Sequence, residues 1–323
     1  MKNFTKLICL LLALCMTLSL FTACGGEDKK DADKDEEEDI EEDDDDENEE
    51  EQKLIPSKKL ELTLTEDEQA YIVTGIGACV DTKIVIPDSY KRKKVTQIGE
   101  NAFRNCDTIV EVIIPDSVTD IGSGAFTGCS SLTNVVLPDS ITSISSGTFS
   151  HCSALTHITL PDSVTSIGMY AFGGCSSLAS IDLSENLTGI GSNAFAKCSS
   201  LTDIVIGKGV KRIEYGTFCQ CTSLANIELP NGLTFIGFEA FYGCNSLAKI
   251  EFPETLTEIG ERAFANCTSF TRIIIPISVE IIEFDAFSGC NSLNKIYCEA
   301  ARRPSGWSWA WTPFEETIVH WNY

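Results

Sequence analysis

The sequence predicts a mostly β repeat solenoid, a rod of 23-residue coils carrying short parallel strands joined by 3₁₀ or helical turns. Three observations carry this expectation. Cys recurs at 106, 129, 152, 175, 198, 221, 244, 267 and 290, at an unbroken interval of 23 residues. Phe stands three residues before each of them, from Phe103 to Phe287. Apolar columns fill the rest of the unit: Ile109 to Leu293 three after each Cys, Val112 to Ile296 six after, Val118 to Val279, and Ile121 to Ile282. Registered repetition of this kind marks stacked units that bury a core only against their neighbours.

At the amino terminus, Lys2 and Lys6 precede an almost wholly apolar run of 14 residues, Leu7 to Leu20. A membrane span needs roughly 20, so residues 1–23 read as a signal peptide. Phe21-Thr-Ala-Cys24-Gly-Gly after that run resembles the lipobox of bacterial lipoproteins. The resemblance implies cleavage before Cys24 and diacylglyceryl attachment to its thiol, hence a membrane anchor of more than one acyl chain. Residues 24–53 follow as an acidic spacer. Positions 27–53 hold 19 Asp/Glu against 4 Lys/Arg, a density of like charge that extends a chain and prevents its collapse. The run lacks the spaced carboxylates and turn glycine of a calcium loop.

Within each unit, Leu-x-x-Ile-x-Leu places alternate side chains inward on a short strand. Pro115, Pro138, Pro161, Pro230, Pro253 and Pro276 end most of these strands, as suits a residue with no ladder donor. Pro-Asp-Ser reads as a turn, Val-Thr-x-Ile-Gly as a second extended piece, and Ala-Phe-x-Gly-Cys as the turn that closes the coil. Some units depart locally: Ser184-Glu-Asn186 and Gly207-Lys-Gly209 replace Pro-x-Ser, and Ser145, Glu214 and Glu283 replace the Gly. Residues 54–105 form an irregular first repeat or cap. There Cys79 and Ile84-Val-Ile-Pro fit the pattern, but Tyr90-Lys-Arg-Lys-Lys94 lengthens a turn and stretches the Cys interval to 27. Residues 106–298 are the regular solenoid. Residues 299–323 hold all four tryptophans (Trp307, Trp309, Trp311, Trp321) and read as a cap on the last coil.

Units of the form L-x-x-I-x-L-P-x-S-V-T-x-I-G-x-x-A-F-x-G-C resemble the BspA-like, or Treponema pallidum-type, leucine-rich repeats, over about Ile72 to Cys298. The resemblance implies a curved leucine-rich-repeat rod, exposed at a surface and often linked to adhesion or host contact, with no catalytic residue. Together with the lipobox it implies a protein held by its lipid on the extracellular face of a bacterial membrane.

The 15 Cys need not form disulfides: those in the repeated column sit among core Phe and Leu, where Cys acts as a small hydrophobe. Cys219 falls outside the column and is expected to be exposed. With no C-x-x-C pair, zinc is disfavoured, and no cofactor is expected.

Candidate binding residues lie five and seven after each Cys, on the outward side of the main strand. The polar set is His157, Asp182, Asp203, Glu228, Lys249, Glu251, Arg272 and Lys295, with Tyr297 as nearly the only aromatic. Such charges also pair across strands with no ligand at all. Net charge is −24, −11 of it within residues 54–323, which argues against nucleic acid. The expected function is docking of a protein partner on this face. The alternative is glycan capture, which calls for more exposed aromatics. A hydrolase built on His157 and Asp203 is the remotest reading, because an open face offers no closed pocket, and no enzyme is expected.

Overall fold

The computed structural model describes residues 54–312 and 319–323. The expected signal peptide, Cys24 and the acidic spacer lie outside them. Residues 53–323 form one compact unit, and it is a mostly β solenoid whose coils advance by the sequence period.

Three ladders tie neighbouring coils together. The first uses the predicted main strands. Lys83–Val85, Glu111–Ile113 and Asn134–Val136 run parallel, as do His157–Thr159 with Ser180–Asp182 and Asp203–Val205 with Asn226–Glu228. Arg272–Ile275, Lys295–Cys298 and Val319–Trp321 close the series. Each pairs residue i with i+23, except that Lys83–Val85 pairs 28 residues on with Glu111–Ile113. Isoleucine or valine at the middle position points into the core, while its neighbours face outward. The second ladder is built from two-residue pieces, such as Ser143–Ile144, Ser166–Ile167 and Gly189–Ile190, also parallel and in register.

The third ladder runs through the turns around Phe, which are of the expected 3₁₀ type but stay single and build no helix. Within a coil only single i+3 turns form, for example Thr127 N to Gly124 O (2.9 Å) and Cys129 N to Phe126 O (3.1 Å). The N–H groups between them donate instead to the next coil: Gly124 to Ser146, Phe126 to Thr148 and Gly128 to Ser150, at 2.8–2.9 Å. Two left-handed residues per coil enforce this alternation and stop a helix from propagating. One is five before the Cys (Gly124, Gly147, Tyr170, Asn193) and one is directly before it (Gly128, His151, Gly174, Lys197). Glycine meets that demand without strain, which explains the Gly of the Phe-x-Gly-Cys pattern.

A further glycine column, after each Ile of the second ladder, has a different cause. A Cβ on Gly168 would lie 2.6 Å from the Ser146 nitrogen of the preceding coil. Where Ser145 and Glu214 replace that Gly, the usual Ala three residues later becomes Thr148 or Thr217. Both are fully buried, and each hydroxyl donates 2.9 Å to the Ser145 or Glu214 carbonyl.

The core is one continuous cluster of these columns. The nine phenylalanines are fully buried and stack ring over ring, with centroids 5.1–5.6 Å apart and planes within 15° of parallel. Trp311 closes the stack edge-on against Phe287. Beside the rings runs the cysteine column. From Cys129 to Cys290 each thiol donates to the Phe carbonyl of the coil before it, at 3.0–3.2 Å. That carbonyl already accepts the N–H of its own coil's Cys, so cysteine both fills the space and adds a second bond between coils. All described cysteines are free thiols. Cys219 corrects the expectation of exposure: it is half-buried, with Glu239, Lys197 and Arg262 close enough to act on its thiol.

In residues 54–105, Glu61–Leu64 pairs antiparallel with Tyr71–Gly75, which joins Lys93–Ile98 in parallel. The lengthened turn is a hairpin, Ser89–Tyr90 against Lys93–Lys94, turning through left-handed Lys91 and Arg92. At the other end Trp307 and Trp311 are buried, and Trp307 Nε1 donates to the Val279 carbonyl at 3.0 Å. Asp285 and Phe287 donate to Ala310 and Trp311, which extend the third ladder past the last repeat, while Trp309 remains 81% exposed.

Candidate functional site

The main-strand ladder presents two outward columns. Strand alternation sets their side chains outward, and 23-residue register sets each above the next. His157, Asp182, Asp203, Glu228, Lys249, Glu251, Arg272 and Lys295 are all exposed, and Tyr297 is partly so. The predicted residues therefore share one face. Lys249 and Glu251 sit where the ladder opens. Residues 249–251 form no strand, although Ile250 between them keeps its side chain in the core at 8% exposure. Their ammonium–carboxylate contact is long, 3.9 Å.

His157 meets Asp182 on the adjacent rung at 3.5 Å. Its Nδ1 lies 2.9 Å from Ser180 Oγ, and its Nε2 lies 3.2 Å from Thr159 Oγ1, which itself donates to Asp182 at 3.2 Å. Asp203, the other residue of the hydrolase reading, joins no such group because it stands two rungs away. It accepts from Asn226 Nδ2 at 2.6 Å, and that bond, with one from Thr202, holds its carboxyl below the usual range. The Ser180–His157–Asp182 group lies open on the face, with the His and Asp side chains 43% and 68% exposed. It makes a hydrogen-bonded surface network rather than an enclosed site.

Sequence reasoning missed two residues at the carboxy-terminal end. Val319–Trp321 adds one more rung, which sets His320 beside Tyr297 in the outward column. Tyr297 is in ring contact with both His320 (centroids 5.1 Å, planes 24°) and Tyr323 (4.3 Å, 40°). Tyr297 is thus part of an aromatic trio and not an isolated ring. The signal is in the sequence, since position 320 is 297 plus one period, but it follows a Trp-rich stretch that departs from the repeat. Among the described residues, no group of three or more His, Cys, Asp or Glu side chains is placed to hold a metal ion. The Asp116–Asp139 column is tied by the Asp139 N–H donating to Asp116 Oδ1 at 3.3 Å.

Short parallel strands in 23-residue register, an apolar column beneath them and polar columns outside define a leucine-rich-repeat solenoid. The BspA type leucine rich repeat region matches residues 96–225 and 211–303 in six copies, and the chain belongs to that family. The leucine-rich-repeat protein of T. pallidum is similar at 32% identity, over 60% of this chain and 90% of its own, with a TM-score of 0.56. The pneumococcal vaccine antigen PcpA shares the fold at 21% identity, over 74% of each chain, with a TM-score of 0.52. No curated protein matches the chain. The family is typically surface-associated, and its fold is typically a scaffold without catalysis. Among the described residues no helix is long and apolar enough to cross a membrane.

Proposed function

We propose that this chain is a lipid-anchored surface protein that docks another macromolecule, a protein partner, on the outward face of its main strands and carries out no covalent chemistry. In this reading residues 1–23 direct export, Cys24 carries the lipid, and residues 24–53 space the solenoid from the membrane. Residues 54–105 and 299–323 cover the ends of the regular coils of 106–298. The observation that carries the reading is the outward pair of columns. They form a rung-spaced array of largely polar, exposed side chains, interrupted by Val205 and Ile274, on a backbone packed over the buried Phe and Cys columns. A rigid array costs little ordering entropy on binding.

A photo-crosslinking side chain at Ser180, on the face, and another at Lys208, exposed on a turn, test this on intact cells. Adducts with a partner protein are expected from position 180 and not from 208. Equal yields at both positions would remove the strand face as the docking surface. Mass spectrometry of the membrane-extracted protein tests the anchor: acyl chains are expected on Cys24, and an unmodified thiol there would discard it.

A further inference from the structure

We infer that the carboxy-terminal end of the strand face, Arg272 and Lys295 beside Tyr297, His320 and Tyr323, takes an acidic, extended peptide segment of the partner. This rests on the docking role proposed for the face and names the chemistry it selects. Arg272 and Lys295 are register partners on adjacent parallel strands, so two cations stand about 4.8 Å apart in the ladder direction. Like charges directly opposite one another destabilise a sheet. Elsewhere on the face His157 pairs with Asp182 and Lys249 with Glu251, and Asp203 accepts a hydrogen bond from Asn226. Arg272 and Lys295 make no ion pair among the described residues, and their outward neighbours, Ile274 and Tyr297, are uncharged. Among the described residues, then, the site holds two cations with no carboxylate paired to them, within reach of one carboxylate, or of two carboxylates on one segment.

The aromatic trio selects between ligand classes. Tyr297 is only partly exposed and packs against the rings of both His320 and Tyr323, so it offers more of its rim, the positive edge of the ring, than of an open face. A rim suits carboxylate oxygens, whereas a sugar ring needs a free aromatic face to stack on. The rest of the solenoid is acidic, with 29 Asp/Glu against 18 Lys/Arg in residues 54–323. An acidic segment is thus repelled along most of the rod and attracted here, which fixes its position.

Fluorescence anisotropy with the full chain tests this, using three labelled probes: a decapeptide of alternating Glu and Ser, its Gln counterpart, and an oligogalacturonate of similar length. The Glu peptide is expected to bind at least about tenfold tighter than the Gln peptide and to weaken several-fold with added salt. Arg272→Glu with Lys295→Glu, and separately Arg272→Gln with Lys295→Gln, should each weaken it by about tenfold or more, and Tyr323→Ala by a few-fold. Circular dichroism confirms that each variant is folded. Lys208→Glu with Lys211→Glu should leave binding unchanged. Equal binding of the Gln peptide, equal loss in the Lys208/Lys211 variant, or preference for the uronate would overturn the inference, the last in favour of a glycan. Self-association that depends on Arg272 and Lys295, with no effect of the Glu peptide, would overturn it in favour of a second copy. Crosslinks from position 180 with no Glu-peptide binding would sink this inference and leave the docking face standing; absent crosslinks would remove the face itself.

Discussion

Raising the pH to about 10 is expected to unfold the solenoid through its cysteines. Burial pushes every thiol of the column up from an ordinary value of 9.0: Cys129, Cys175 and Cys290 reach about 12, as does Cys298 beyond it, and Cys198, Cys244 and Cys267 lie well above 9.0. The native state therefore holds its thiol protons where the unfolded chain gives them up. The stabilisation is complete below about pH 9 and drains away between 9 and 12. At pH 10 a thiol of native value 12 favours unfolding by about 1.4 kcal/mol. Nine described thiols are buried, so together they favour unfolding by about 12 kcal/mol, as much as the whole stability of a typical domain, about 5–15 kcal/mol. Far-ultraviolet circular dichroism followed together with thiolate absorbance checks this. The two signals should change in one cooperative step between pH 9 and about 10.5. Replacing Cys198 and Cys221 by Ala should lower stability at neutral pH yet reduce the alkaline loss at pH 10 by about 3 kcal/mol. Thiolate absorbance that rises while the dichroism stays native would refute the reasoning, because the thiols would then be ionising in place.

Three further outcomes follow from single positions. Phe195→Ala, at the middle of the ring stack, should cost about 3–5 kcal/mol in urea titration, with the loss centred on its own and adjoining coils in hydrogen exchange. Lys197 holds φ at 62°, so Lys197→Gly relieves about 1–2 kcal/mol of left-handed strain and gives back about 0.5–1 to chain entropy; a net gain near 0.5–1 kcal/mol is expected by the same titration. Lys295→Glu places an opposite charge beside Arg272 and should raise stability by a few tenths of a kcal/mol while weakening Glu-peptide binding. Lower stability together with retained binding would show that the cation pair serves the fold and not a ligand.

What the sequence made legible was whatever repeats. The 23-residue interval fixed the strands, the buried columns and the outward face, because in a solenoid one period determines both register and burial. The two left-handed turns were less visible. Their positions hold Gly in some coils and Tyr, Asn, His, Lys, Gln, Glu, Arg or Asp in others, so the backbone demand is constant while the residue type is not. The role of the cysteines was half visible. Burial followed from their flanks, but donation to the Phe carbonyl of the preceding coil depends on side-chain direction, and spacing does not specify that. The aromatic trio lay hidden for a different reason. Its rung comes after a stretch that departs from the repeat, and only the return of the period at Val319–Trp321 puts His320 beside Tyr297. The period therefore continues past the last Phe-x-x-Cys motif, and the extra rung it adds is the one that sets a further ring against the partly exposed Tyr297. In a stack of near-identical coils, discrimination between partners can come only from the outward positions where one coil differs from the next. In the docking mode proposed above, the change an acidic segment would meet is the turn of the first outward column from His157, Ser180, Asp203 and Asn226 to Lys249, Arg272 and Lys295.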